Sequence, residues 1–143
     1  MNELAAHQAQ VIVSRLAHAL DADDFTGARA CLDESCVYVG RDETLRGPEA
    51  IIGSYADASA RAHRLFDEVR YASEVGAVTG AVVPVTFTDY LLRAGGRWHR
   101  YRCRQEFTVG TNGTIMRITH HELPGEREAL ERYFRECGIE RSV

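Results

Sequence analysis

The spacing of the apolar residues changes once along this 143-residue chain, and the change limits the folds that the chain can adopt. Over residues 3–20 the apolar residues recur at helical spacing: Ala5, Ala9, Ile12, Leu16 and Leu20. Over residues 80–92 they alternate with polar residues, as in a strand with one buried face: Val83, Val85, Phe87 and Leu91. Helices that precede a run of strands are typical of an α+β fold, with the helices on one face of a bent antiparallel sheet.

The same patterns predict the order of the elements. Helices are predicted at residues 3–20, 26–33, 48–62 and about 125–137. Strands are predicted at residues 36–40, 65–72, 80–92, 98–109 and 114–123. Residues 41–47 are predicted to form a loop. Because no linker or repeat interrupts the chain, we expect one domain over residues 1–143, with the last helix as an extension.

The glycine-containing loop between the two longest predicted strands sets the register of their pairing. A three-residue loop at residues 94–96 pairs Leu91 with His99 and Asp89 with Tyr101. A two-residue loop would instead turn the apolar side of the 80–92 strand outward. We prefer the three-residue loop because it places these apolar side chains inside: Val83, Val85 and Phe87.

Asn112-Gly113 is the strongest short hairpin signal in the chain. As a two-residue turn it pairs Val109 with Met116 and Gln105 with His120. The inner face of the predicted sheet is then apolar near this turn and polar toward its other end. The polar residues of that end are Asp89, His99, Tyr101, His120 and Glu122.

Apolar walls with a few convergent polar groups are typical of a pocket for a small organic molecule. The candidate catalytic residues are Asp89, Tyr101, His120 and Glu122. We expect Asp89 or Glu122 to act as the base. The oxygen-polarising groups would be Tyr101, Gln105 and His120. The candidate ligand contacts are Tyr38, Tyr55, Phe87, His99, Cys103, Gln105, Phe107, Met116 and Ile118.

Each candidate also has a purely structural interpretation. The acidic residues and Tyr101 can lie in water at the rim of the sheet. His120 can be a hydrogen-bonded core histidine, and Cys103 can fill space rather than act as a nucleophile. Tyr38 and Tyr55 can simply pack in the core.

The composition excludes several kinds of chemistry. All 17 basic residues are arginine, and without lysine the chain cannot form a Schiff base or a Walker-type phosphate loop. The net charge of −4 argues against a nucleic-acid partner, and no apolar run is long enough for a membrane span. His120 and His121 are adjacent on a strand and point to opposite faces, so they do not make a metal site. We therefore expect no metal and no cofactor.

Two features bear on location and assembly. The N-terminal residues lack the basic and apolar regions of a signal peptide, so we expect a cytoplasmic protein with reduced cysteines. Arg100, Arg102 and Arg104 fall on the outer face of the 98–109 strand. They favour either a surface for anions, nucleic acid or an acidic partner, or a dimer interface in which they pair with carboxylates. We expect a homodimer.

Several segments, in this order, resemble the nuclear transport factor 2-like superfamily, also called SnoaL-like. They are LDADDF at 20–25, ACLDESCVY at 30–38, GPEAI at 47–51 and the closing strands up to about residue 123. The resemblance implies a cone, also described as a cystatin-like roll, in which a curved antiparallel or mixed sheet wraps around the N-terminal helices. It also implies an apolar pocket at the open end, and a dimer. Its members include ketosteroid isomerases, polyketide cyclases, scytalone dehydratase and limonene epoxide hydrolase.

The chain departs from this family at the catalytic positions. The general-base aspartate of the ketosteroid isomerases falls near Gly40, and their oxyanion-hole residues fall near Leu16 and Gln105. The histidines of scytalone dehydratase have no counterpart in the strands at 65–72 and 80–92. We therefore expect binding of a small, largely apolar organic molecule, with any chemistry being cofactor-free isomerisation, dehydration, cyclisation or epoxide opening. The alternative is a non-catalytic dimeric binding or interaction module.

Overall fold

The structure, a computed structural model, describes residues 3–139. Its helices are α1 (Glu3–Asp21), α2 (Phe25–Arg29), α3 (Pro48–Leu65) and α4 (Glu126–Glu136). Its strands are β1 (Leu32–Val39), β2 (Thr44–Arg46), β3 (Glu68–Val75), β4 (Val82–Leu92), β5 (Trp98–Val109) and β6 (Ile115–Glu122). They form one curved, open sheet in the order β2-β1-β6-β5-β4-β3, in which only the β1–β6 pair is parallel. The predicted α+β cone with a C-terminal helix is confirmed.

The main core lies between α1 and the inner face of the sheet. The buried residues of α1 are spaced so that they share one side of the helix: Ala9, Val13, Leu16, Ala17 and Leu20. The sheet contributes Val83, Val85, Phe107, Ile115 and Ile118. Leu16 and Val13 are fully buried, and each contributes about 2 kcal/mol of burial free energy.

Two early predictions are wrong in detail. The second helix ends at Arg29 rather than residue 33, because Leu32 is buried and pairs with Ile115 in the parallel ladder. Its N-cap is Asp24, whose carboxylate accepts a hydrogen bond of 3.0 Å from the amide of Gly27. The predicted loop at 41–47 contains β2, which turns back and pairs with the end of β1.

The predicted register between β4 and β5 is confirmed, with Leu91 opposite His99 and Asp89 opposite Tyr101. Most of the β5–β6 register also holds, since Gln105 lies opposite His120. The Val109–Met116 pair is wrong. A bulge after Thr108 places Val109 opposite Ile115.

The physical reason for the bulge lies in the turn itself. The amide of Gly110 donates to the Thr114 carbonyl, and Gly113, at φ 82°, donates back to the Gly110 carbonyl. The connection is therefore longer than the predicted two-residue turn, and the extra residue is absorbed in the strand.

Helix α4 packs across one end of the sheet and forms a second, smaller core. This core consists of Phe66, Leu91, Tyr133, Phe134 and Ile139. The Tyr133 hydroxyl donates a 2.6 Å hydrogen bond to the Arg97 carbonyl, which ties α4 to the β4–β5 turn. Among the described helices, none is long and apolar enough to cross a membrane.

Candidate functional site

A cavity of about 250 Å³ lies between α3 and the inner face of β3, β4, β5 and β6. That volume equals about eight water molecules at ~30 Å³ each, which suits a small organic ligand. The side of α3 that faces the sheet carries mainly small residues: Ser54, Ala58, Ser59 and Ala62. Because these side chains are short, the helix and the sheet do not fill the space between them. The remaining lining includes Leu20, Phe25, Tyr38, Ile51, Tyr55, Phe87 and Cys103.

Asp89 is the most unusual polar group in the cavity wall. It lies on the inner face of β4, between Tyr71 of β3 and Tyr101 of β5. Its carboxylate has no hydrogen-bond or ion-pair partner among residues 3–139. Burial, with a smaller contribution from the charge of Asp21, raises the pKa of Asp89 to about 7. The carboxyl group therefore exchanges a proton near neutral pH, as a general base or acid requires.

A chain of hydrogen bonds crosses the cavity wall from α3 to β6. The Tyr55 hydroxyl donates to Oε1 of Gln105 at 2.6 Å, and Nε2 of Gln105 donates to Nδ1 of His120 at 3.1 Å. Since Nδ1 accepts, the proton of the neutral His120 ring lies on Nε2. Burial lowers the pKa of His120 and raises the pKa of Tyr55 well above its ordinary value. Both groups are therefore neutral hydrogen-bond donors at neutral pH.

The end of α1 and the following turn contribute an acidic cluster to the cavity. Oδ2 of Asp21 accepts a 2.6 Å hydrogen bond from Ser73. Oδ1 of Asp23 accepts from Ser59 at 2.8 Å, and its Oδ2 lies 3.3 Å from Nε2 of His63. Asp23 has a φ of 54°, and only this non-glycine residue of the described chain has a positive φ. The strained turn thus holds a carboxylate at the cavity.

The structure brings seven of the predicted site residues to the cavity: Tyr38, Tyr55, Phe87, Asp89, Cys103, Gln105 and His120. Burial raises the pKa of Cys103 to about 12, so its thiol stays protonated. The six others lie outside the lining: His99, Tyr101, Phe107, Met116, Ile118 and Glu122.

Each of these six has a structural reason for its position. Glu122 receives hydrogen bonds from Arg127 and lies 3.6 Å from Arg41, and the Arg127 hydrogen bond lowers the pKa of Glu122. His99 is covered by α4, with its ring 4.8 Å from that of Tyr133. Tyr101 is half-buried next to Asp89, and burial raises its pKa to about 12. Phe107 and Ile118 are fully buried in the core, and the bulge moves Met116 against the Gly110 turn.

Eleven of the lining residues were not predicted, and four of these form side-chain hydrogen bonds at the cavity: Asp21, Asp23, Ser59 and Tyr71. One pattern in the sequence does predict part of this lining. Ile51, Tyr55, Ser59 and Ala62 recur at helical spacing, and the small residues among them leave space between this side of the helix and a sheet. The acidic turn after the first helix gave no comparable signal, because polar turns are common on surfaces.

The outer-face arginines do not form one uniform surface. Arg100 and Arg104 are exposed, and Arg104 lies 3.8 Å from Glu106. Arg102 is half-buried, and its amide donates a 2.6 Å hydrogen bond to Glu126 of α4. Within residues 3–139, no group of three or more His, Cys, Asp and Glu side chains is placed to hold a metal ion.

No protein-family model matches the chain, and no curated protein is significantly similar to it. Solved structures are similar over most of its length. An LEH-like epoxide hydrolase from M. tuberculosis is 21% identical, with 89% of this chain and 92% of that chain covered and a TM-score of 0.63. TerC, crystallised with polyporic acid, is 14% identical, with 91% and 97% covered and a TM-score of 0.64. An NTF2-like protein of unknown function from Burkholderia pseudomallei is 18% identical, with 90% and 95% covered and a TM-score of 0.65.

These similarities establish the fold. The chain has the cone of nuclear transport factor 2-like proteins, as its sequence segments indicated. Identities this low carry no activity from one protein to another, because this fold supports proteins of different function.

Proposed function

We propose that the protein binds a small, largely apolar organic molecule in this cavity and catalyses a cofactor-free acid–base reaction with Asp89 as the base. The observation that carries the proposal is the carboxylate of Asp89, which has no partner among residues 3–139 and lies in a cavity lined mainly by apolar and aromatic side chains. A half-buried carboxylate that desolvation makes weakly acidic and that no protein group pairs is costly, and such groups concentrate at functional sites. Glu122, the second candidate base, is neutralised by Arg127 and Arg41 and is not part of the proposal.

The hydrogen-bonded groups that end at His120, on the same sheet as Asp89, complete the proposed chemistry. The ionised Asp89 takes a proton from the ligand or from a water molecule. The Nε2–H of His120 donates a hydrogen bond to the ligand oxygen on which negative charge develops. Tyr55 and Gln105 act as positioning residues, because their hydrogen bonds fix the ring orientation and tautomer of His120. Isomerisation, dehydration, cyclisation and epoxide opening can all use a base together with a hydrogen-bond donor to the ligand oxygen.

Turnover of two probe compounds tests this proposal. Styrene oxide reports epoxide opening, and a small β,γ-unsaturated cyclic ketone reports isomerisation; both contain an apolar body and one oxygen. Asp89→Asn should lower the turnover of an accepted probe about 100-fold or more, the usual contribution of a general base. Asp57→Asn is the matched control, since Asp57 is exposed on α3 and outside the cavity lining. Unchanged turnover in Asp89→Asn would contradict the role of Asp89.

The second candidate function is a non-catalytic dimeric module, and one observation favours it. The outer face of the sheet exposes Tyr90 and Trp98, with 37% and 40% of their surfaces accessible, and the Arg70 guanidinium lies 5.4 Å from the Trp98 ring. Aromatic and arginine side chains are enriched in protein interfaces. We propose that this face forms a homodimer. Light scattering should show that the wild-type protein is a dimer and that Trp98→Glu is a monomer. A monomeric wild-type protein would refute the proposed dimer.

A further inference from the structure

The charged groups of the cavity are of one sign. The carboxylates that line it are Asp21, Asp23 and Asp89. No arginine lines it within residues 3–139, although the chain has 17 basic residues. Its histidine, His120, is kept neutral by burial. An anionic ligand would therefore meet carboxylates without a cation to offset them.

Two of these carboxylates meet at the same end of the cavity. Ser73, which donates to Asp21, lies opposite Phe87 in the β3–β4 ladder. Phe87 and Asp89 are two residues apart on β4, so their side chains leave the same face of the sheet. Ser73 is thus a diagonal neighbour of Asp89 in the ladder, and its hydrogen bond holds the Asp21 carboxylate on the Asp89 side of the cavity. Asp21 has one hydroxyl partner, and Asp89 has no partner in the described chain.

The third carboxylate is already engaged. Asp23 accepts from Ser59 on one oxygen and lies near His63 on the other. Because Ser59 donates to Asp23, it accepts a hydrogen bond of 2.9 Å from the Tyr71 hydroxyl. Tyr71 lies opposite Asp89 on β3. The hydrogen bonds among Asp23, Ser59 and Tyr71 therefore hold the side chains next to Asp89 in place. They bring no cation to the Asp89 carboxylate.

The rest of the lining is suited to a cation that carries an apolar body. Aromatic rings surround the acidic end and the centre of the cavity: Phe25, Tyr38, Tyr55, Tyr71 and Phe87. Tyrosine and phenylalanine rings attract an ammonium group to their faces and also pack against hydrocarbon. Carboxylates together with aromatic rings are the groups that recognise organic amines.

We propose that the ligand of this cavity is a small amine whose ammonium group lies between Asp21 and Asp89 and whose apolar body lies against Tyr55 and Phe87. The inference rests on the proposed function, since it assumes that the cavity is the ligand site. It narrows that function from any apolar molecule to a protonated amine. The ammonium supplies the countercharge that Asp89 lacks within the protein.

Three ligands of the same shape and different charge test this inference by isothermal titration calorimetry. They are 3-phenylpropylamine, 3-phenylpropan-1-ol and 3-phenylpropanoate, measured at about pH 8, where Asp89 is ionised and the amine is protonated. The amine should bind at least about tenfold more tightly than the alcohol, and the carboxylate should bind more weakly than the alcohol. In the Asp21→Asn/Asp89→Asn double variant, the advantage of the amine should fall to about threefold or less. Asp57→Asn, which removes an exposed charge, should preserve it.

The outcomes separate the two proposals. If the alcohol or the carboxylate binds as tightly as the amine, the amine inference is overturned and the cavity remains a ligand site. If the double variant keeps the full advantage of the amine, the ammonium group does not bind at Asp21 and Asp89, and the inference is also overturned. If none of the three binds at millimolar concentration while a probe compound is turned over in an Asp89-dependent way, the inference is overturned and the proposed function stands. If no probe is turned over either, both fail.

Discussion

The half-buried carboxyl group of Asp89 should make the stability of the protein depend on pH. Its pKa is about 7 in the folded protein against an ordinary value of 3.8. Between these values the folded state keeps the proton and the unfolded state has lost it. Because the folded state binds more protons there, the free energy of unfolding falls as pH rises. Above about pH 7 the full cost of burying the charge is present.

The size of this effect follows from the shift. About two units of the shift lie between pH 5 and pH 7, and each unit is worth about 1.4 kcal/mol, so Asp89 should cost about 3 kcal/mol of stability over that interval. Asp89→Asn removes the titration and keeps the shape of the side chain. Relative to this variant, the wild-type protein should therefore lose about 3 kcal/mol between pH 5 and pH 8.

Urea unfolding of both proteins at the two pH values measures this difference directly. The comparison cancels the titration of groups that the variants share, and any pH-independent cost of the asparagine. Asp57→Asn should follow the wild-type protein at both values, since Asp57 is exposed. A difference between wild type and Asp89→Asn that changes by less than about 1 kcal/mol would refute the reasoning.

Three further substitutions test the cavity, the main core and the packing of α4. Ala58→Phe should fill the cavity and abolish binding of the phenylpropyl ligands, with a near-native circular dichroism spectrum; undiminished binding would place the ligand elsewhere. Leu16→Ala should lower the free energy of unfolding by about 3 kcal/mol, because Leu16 is fully buried; urea titration measures this, and a loss below about 1 kcal/mol would contradict the packing. Tyr133→Phe should cost about 1 kcal/mol in the same assay through loss of the hydrogen bond to Arg97, and an unchanged value would show that this bond is not stabilising.

The alternation of side chains was enough to predict the inner face of the long strands. The pairs Asp89–Tyr101 and Gln105–His120 follow from loop length and a period of two, and both are present. The bulge near Val109 did not follow, because the Gly110–Gly113 turn competes with a two-residue turn that suits the same Asn-Gly sequence. One residue of difference was sufficient to move Met116 out of the predicted site.

The candidate site could be predicted only in part, because strand parity places a side chain on a face but does not show what covers it. His99 and Asp89 share the inner face, yet α4 covers His99 and leaves Asp89 in the cavity. Glu122 has the right parity and is neutralised by Arg127, five residues further along the chain. Which inner-face residues reach the cavity depends on contacts between elements that are distant in the sequence. A local sequence pattern does not show these contacts.

In the proposed function, the two walls of the cavity have separate tasks. The sheet holds the group that exchanges a proton, Asp89, and the neutral donor His120, whereas α3 faces them with Ala58, Ser59 and Ala62. Enlarging one of these small side chains changes the shape of the ligand that fits and leaves the reacting groups in place. Selection for a new ligand can therefore act on one helix while the chemistry is retained on the sheet.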